Sequence, residues 1–143
     1  MEHSDHFKAT MRAIALDRPS DELVSQIPDD AQEDWATFVA AMFAAVIGQV
    51  FEHDQSHEAV KKFVSEMRYG YRELDTPISA LALEGLLRGM LGEEHLLDEV
   101  TPEEQFRLQI LSIRKVVNDV EQVNTNLEAY LADAVTLAES LAE

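Results

Sequence analysis

The chain contains no cysteine. That excludes a disulfide framework, a thiolate zinc site, an iron–sulfur cluster and a cysteine nucleophile. Proline and glycine are scarce, at 4 and 5 of 143 residues, which leaves little material for a turn-rich β fold. Positive charge is scarce as well. There are 11 Lys and Arg against 28 Asp and Glu, a formal net charge of −17. A surface of that sign repels nucleic-acid backbones, which are bound through Lys and Arg, so no DNA or RNA partner is expected. The acidity suits solubility in a salt-rich cytosol, or a basic protein partner.

A membrane-spanning run is also missing. From Trp35 to Phe51 the only polar side chains are Thr37 and Gln49. A spanning helix needs about 20 apolar residues, and this run falls short. Asp29, Asp30, Glu33 and Asp34 precede it, and Glu52 and Asp54 follow. The spacing therefore predicts a buried core helix with no membrane association. The start, Met1-Glu2-His3-Ser4-Asp5-His6, lacks the basic and apolar regions of a signal peptide. With the absence of cysteine, this gives cytoplasmic as the expected location.

What is present is a 46% apolar fraction and an abundance of the helix formers Ala, Leu, Glu and Gln. The expectation is an all-α fold, a single domain over residues 1–143 built as a bundle of about five helices. A first helix is predicted from Ser4, as N-cap, to about Leu16, and a short one from Ser20 to Ile27. The central helix is predicted from Asp30, with Glu33 completing a capping box, to about His53. It is apolar on all sides. Ala36, Ala40, Ala44 and Gly48 recur every four residues along it. A third helix is predicted from the cap Ser56 to about Leu74. Thr76-Pro77 and Thr101-Pro102 each read as an N-cap followed by proline at the first helical position. Gly92 is expected to end the helix begun at Thr76. Gly85 and Gly89, four apart within it, suggest a close crossing with the small-residue stripe of the central helix.

The last forty residues carry a seven-residue pattern. Phe106, Ile110, Ile113, Val117, Val120, Asn124, Leu127, Leu131, Ala134, Ala138 and Leu141 alternate in steps of four and three. As a coiled coil, this places β-branched Ile110 and Val117 and one Asn, Asn124, at a positions, as two-stranded coils do. One continuous helix over 102–142 would reach roughly 60 Å, twice the ~30 Å span of a domain this size. The expectation is thus a long C-terminal helix acting as a homodimerisation segment, with Phe106, Ile110, Ile113, Val117, Val120, Asn124, Leu127 and Leu131 at the interface. If Asn124 faces its symmetry mate, Asn124→Leu should raise stability. Two features oppose this. Val116, Val123, Tyr130 and Leu137 widen the stripe to that of a bundle-facing helix. Thr125 and Glu128 could form a capping box that breaks the helix near Asn124 to Asn126.

Chemistry-bearing motifs are few. His53-Asp54-Gln55-Ser56-His57 has the His-x-x-x-His spacing of zinc peptidases. It straddles an expected helix junction, however, with Asp where the base Glu belongs and no third ligand. His3 and His6 lie near the terminus. No phosphate loop, nucleophile elbow or pair of Glu-x-x-His motifs occurs. No catalytic residue, metal or cofactor is assigned. Arg68, Tyr69, Tyr71 and Arg72 form a compact Arg/Tyr cluster of the kind enriched at binding hot spots. Lys61, Lys62, Arg68 and Arg72 hold four of the 11 cations. The reading that results is a non-enzymatic protein that works by protein–protein contact. The alternative is a small-molecule binder with an apolar pocket lined by Phe38, Met42, Phe43, Phe63 and Met67.

Overall fold

The computed structural model describes residues 1–142. It is all-helical, with no strand among the described residues. In chain order the helices are α1 (Ser4–Ala15), α2 (Asp21–Ser25), α3 (Gln32–Val50), α4 (His57–Gly70), α5 (Ala80–Met90), α6 (Pro102–Asp119), α7 (Glu121–Thr125) and α8 (Leu127–Ala142). Short 3₁₀ helices lie at Asp29–Ala31 and Glu94–Glu99. Among the described residues no helix is long and apolar enough to cross a membrane. The chain divides into two compact units. The first is Met1–Val50 with the chain from Gln109 onward, and the second is Phe51–Leu108.

In the first unit α3 is the centre. Trp35, Phe38, Val39, Met42, Phe43, Val46 and Ile47 are all buried. Phe7 of α1 meets Trp35 at 5.5 Å and Phe38 at 5.9 Å between ring centroids, a tilted aromatic cluster. The most extensive helix pairing is between α3 and α8, and α1 also touches both. Arg12 ties α1 to α8 with a two-pronged pair to Glu128, both bonds 2.7 Å. Ser4 opens α1 as its first residue, and the cap position falls to His3, without a side-chain bond.

The end of α1 is a Schellman turn. Asp17 takes a left-handed φ of 56°, the Arg18 amide donates to the Ala13 carbonyl at 2.8 Å, and the Asp17 amide donates to Ile14 at 3.2 Å. Asp tolerates this conformation better than most residues. Its carboxylate also accepts from Arg114 at 2.8 Å, and Asn118 donates to the Ala15 carbonyl at 3.2 Å. The base of α6 thereby satisfies groups that the end of α1 leaves open.

The expected continuous helix over 102–142 is corrected to three helices. Val120 is extended, at φ −105° and ψ 104°, between α6 and α7, and Asn126 breaks α7 from α8 at φ −107°. Asparagines drive both breaks by taking backbone carbonyls with their side chains. Asn124 donates to Val117 at 3.0 Å, and Asn126 to Gln122 at 2.7 Å. The seven-residue phase survives because Ile113, Val117, Leu127, Leu131, Ala134 and Ala138 are still buried, although the axis turns. Of the expected dimer seam, Phe106, Ile110 and Val120 are half-buried and Asn124 is exposed. The length that called for a second chain no longer exists.

In the second unit Phe51, Val60, Phe63, Met67, Ile78, Leu83, Leu86 and Leu87 are core. Phe51 and Phe63 meet edge-on at 5.8 Å. Ser56 caps α4 as expected, accepting from Ala59 at 3.2 Å. Thr101 likewise accepts from Glu104 at 3.2 Å ahead of Pro102. Thr76-Pro77 does not start a helix. Ser79 caps α5 instead, accepting from Ala82 at 3.1 Å, and the Thr76 carbonyl is taken by Arg107. Gly92 ends the helix as expected, at φ 127°, in a second Schellman turn: the Glu93 amide donates to Arg88 at 2.9 Å.

The expected crossing through small residues is corrected. Ala36 and Gly48 are exposed, and a Cβ on Gly48 would meet nothing within 4 Å. Gly85 and Gly89 admit the Glu94–Glu99 turn: a Cβ on Gly89 would stand 2.5 Å from the Leu97 side chain. Gln105 fastens the same turn, donating to the carbonyls of Leu97 at 3.0 Å and Val100 at 2.9 Å.

Two substitutions test this packing. Asn124→Leu removes the bond to the Val117 carbonyl and should lower stability by about 1 kcal/mol, opposite in sign to the coiled-coil expectation. Ser112 is fully buried and its hydroxyl has no hydrogen-bond partner among the described residues, so Ser112→Ala should raise stability by about 1 kcal/mol. Urea melts followed by circular dichroism read both; a stabilised Asn124→Leu chain would restore the coiled coil.

Candidate functional site

The C-terminal end of α4 and the turn after it carry the Arg/Tyr cluster. Tyr71 is the C-cap of α4, its amide bonded to the Met67 carbonyl at 3.0 Å, and the chain turns there. The turn places Arg72 back over Tyr69. The guanidinium carbon stands 4.3 Å from the Tyr69 ring centroid, and Nη1 donates to the Tyr69 carbonyl at 2.8 Å. The cation therefore rests on the ring face and covers one of the last carbonyls of the helix, both favourable placements. Arg68, Tyr69, Tyr71 and Arg72 line, with Pro77 and Ile78, an open hollow of about 310 Å³. All four cluster residues are thus brought together. Tyr69 is 70% exposed, and Leu81, three residues beyond Ile78, is 82% exposed.

The electrostatics of this face differ from the rest of the chain. Lys8, Arg12, Arg88, Arg107, Arg114 and Lys115 each have a carboxylate within 4.0 Å. Lys61, Lys62, Arg68 and Arg72, and separately Arg18 after α1, are exposed and have no ion pair among the described residues. In a chain with 28 carboxylates, that grouping is the main departure from an even pairing of charge.

The other expected residues lie elsewhere. His53 sits in the bend after α3, 3.7 Å from Glu52, while His57 is the first residue of α4. No helix sets the two imidazoles on one face. No group of three or more His, Asp or Glu suited to a metal occurs among the described residues. Phe38, Met42, Phe43, Phe63 and Met67 are core side chains, at most 7% exposed.

The sequence reading missed a charged network in the second unit. Arg88 pairs with Glu93 through two bonds of 2.7 and 2.8 Å, reaches Glu84 at 3.4 Å, and His57 stands 3.3 Å from Glu93. Arg88 and Glu93 are five apart, so no helix face joins them; the Gly92 turn does. Hydrogen bonding to Arg88 holds the Glu93 carboxyl at about 2, against an ordinary 4.5, with a smaller contribution from His57. A depressed carboxyl stabilises the fold above its unfolded value, and that contribution fades as pH falls from 4.5 toward about 2.

Glu93→Gln should therefore melt at a lower temperature than the parent at pH 7, and the gap should close as pH falls through that window. Calorimetry across pH checks it; a gap that stays constant would remove the Arg88–Glu93 pair from the account. Comparison of the chain with protein-family models, with curated proteins and with solved structures gives no match.

Proposed function

We propose that this chain is a non-enzymatic interaction protein that meets its partner through the Arg/Tyr face at the end of α4. The observation that carries the reading is Tyr69, 70% exposed yet fixed under Arg72, beside a hollow whose floor includes the buried Ile78. An aromatic ring held in place loses little side-chain entropy when it is covered, and Tyr and Arg dominate binding hot spots for that reason among others. Leu81 adds exposed apolar surface in the next helical turn of the chain. The charged network around Arg88 supports the turn that follows α5.

The homodimer read from the C-terminal pattern becomes one outcome of the same experiment. A photo-crosslinking amino acid in place of Tyr69, with Thr136 on α8 as the control position, is irradiated in the host cell. Position 69 should give a discrete adduct that position 136 does not, and Leu81→Asp should abolish it. An adduct of twice the chain mass would identify a second copy as the partner. No adduct from position 69 above the control would overturn the reading.

A further inference from the structure

The position of the unpaired cations says what kind of partner suits the face, an inference that rests on the contact surface proposed above. Lys61, Ser65 and Arg68 are separated by four and three residues, the steps that keep side chains in one stripe along α4, and Arg72 lies in the turn beyond the helix, folded back over Tyr69. All four are exposed. The neighbouring stripe, Glu58, Lys62 and Glu66, alternates in sign at steps of four and so balances itself. Glu73 and Asp75 follow in the turn. Although Glu58 and Asp75 lie three positions from Lys61 and Arg72, none of Lys61, Arg68 and Arg72 has a carboxylate within 4.0 Å among the described residues, and Tyr69 and the hollow with Pro77 and Ile78 lie beside Arg68 and Arg72. A chain of net charge −17 that leaves these cations together and unpaired presents a locally positive strip bordered by apolar surface.

We infer that this stripe binds an acidic segment of another protein in which apolar side chains sit between the carboxylates. Lys61 and Arg68 lie roughly 10 Å apart along the helix, at ~1.5 Å per residue. In an extended peptide every second side chain shares a face, so residues four apart present one face across ~13 Å, within reach of the long Lys and Arg stems. The matching segment has carboxylates four positions apart, one toward Lys61 and one toward the Arg68 and Arg72 guanidiniums. An aliphatic or aromatic side chain next to the second carboxylate meets Tyr69 and enters the hollow. Guanidinium groups favour carboxylates through paired N–H donors, and Arg72 is already oriented by the Tyr69 ring. The acidic remainder of the chain repels an anion everywhere else, which confines such a segment to this strip.

Fluorescence anisotropy on the full chain tests this with three labelled peptides: Asp residues four apart with Leu and Phe between, the same with Lys for Asp, and the same with Ser for Leu and Phe. A labelled single-stranded oligonucleotide is the fourth probe. The Asp/Leu/Phe peptide should bind, weaken with added salt, and lose about tenfold or more in affinity with the double variant Lys61→Glu, Arg68→Glu. The milder Lys61→Gln, Arg68→Gln pair should lose less, with an unchanged circular dichroism spectrum. The Lys and Ser peptides should bind poorly. Preference for the Lys peptide, tighter binding of the oligonucleotide, or an affinity unmoved by charge reversal would each overturn the inference. If position 69 still crosslinks in cells while the acidic peptide fails to bind, the contact surface stands and its acidic specificity falls.

Discussion

The rest of the first unit depends on the burial of α3. Its apolar residues run round most of its circumference, so a single neighbouring helix cannot keep it from water. At roughly 25 cal/mol per Å² of apolar surface, leaving one side of it exposed would forfeit several kcal/mol, a large share of the stability of any domain. The cover comes from α1, early in the chain, and α8, at its far end. That requirement explains why the C-terminal segment cannot run straight on. It has to turn, and Val120 and Asn126 are where it does. The Arg12–Glu128 pair and the 3.3 Å contact between Tyr130 and Gln49 then join α8 to both of its neighbours.

The second unit solves a smaller problem by different means. Its helices are short, and two tight reversals set their geometry: the cap at Ser79 and the Gly92 turn. Gly89 has no side chain because Leu97 occupies the space where one would be. Arg88 reaches across the Gly92 turn to Glu93, so one residue pair is bonded through both main chain and side chains. Exposed ion pairs contribute little to stability individually. This one is held on both sides by the turn, which is why its effect on Glu93 is large. The end of α4 is finished differently, by Arg72 lying on Tyr69, and this leaves the ring and the stripe beside it open to solvent.

Much of this was legible in the amino-acid order, for identifiable reasons. Helical content follows from composition and from the near absence of proline and glycine. Ser56, Thr101-Pro102 and Gly92 mark helix ends because their signals are local: a hydroxyl accepts an amide three residues on, or a glycine takes a positive φ. The clustering of Arg68, Tyr69, Tyr71 and Arg72 was visible because they lie within one turn of chain. The unbroken helix over 102–142 was misjudged because a seven-residue phase reports which side chains are buried. It is silent on whether the axis bends between them. Asn118, Asn124 and Asn126 were the countervailing signal, a density of residues that compete for backbone carbonyls.

The sequence by itself determined the all-helical class, the central apolar helix, the helix ends at Ser56, Thr101 and Gly92, and the grouping of four cations in one short segment. These are set by interactions spanning a few residues, which the order of side chains contains in full. The tertiary structure alone decided where α8 goes, that Gly85 and Gly89 serve the Glu94–Glu99 turn and not α3, and that Ser79 displaces Thr76 as a cap. It also decided which cations keep a carboxylate neighbour and which do not. Those outcomes turn on pairs such as Arg12 with Glu128 or Arg107 with the Thr76 carbonyl, distant in the chain, where several candidate partners compete and only packing selects one.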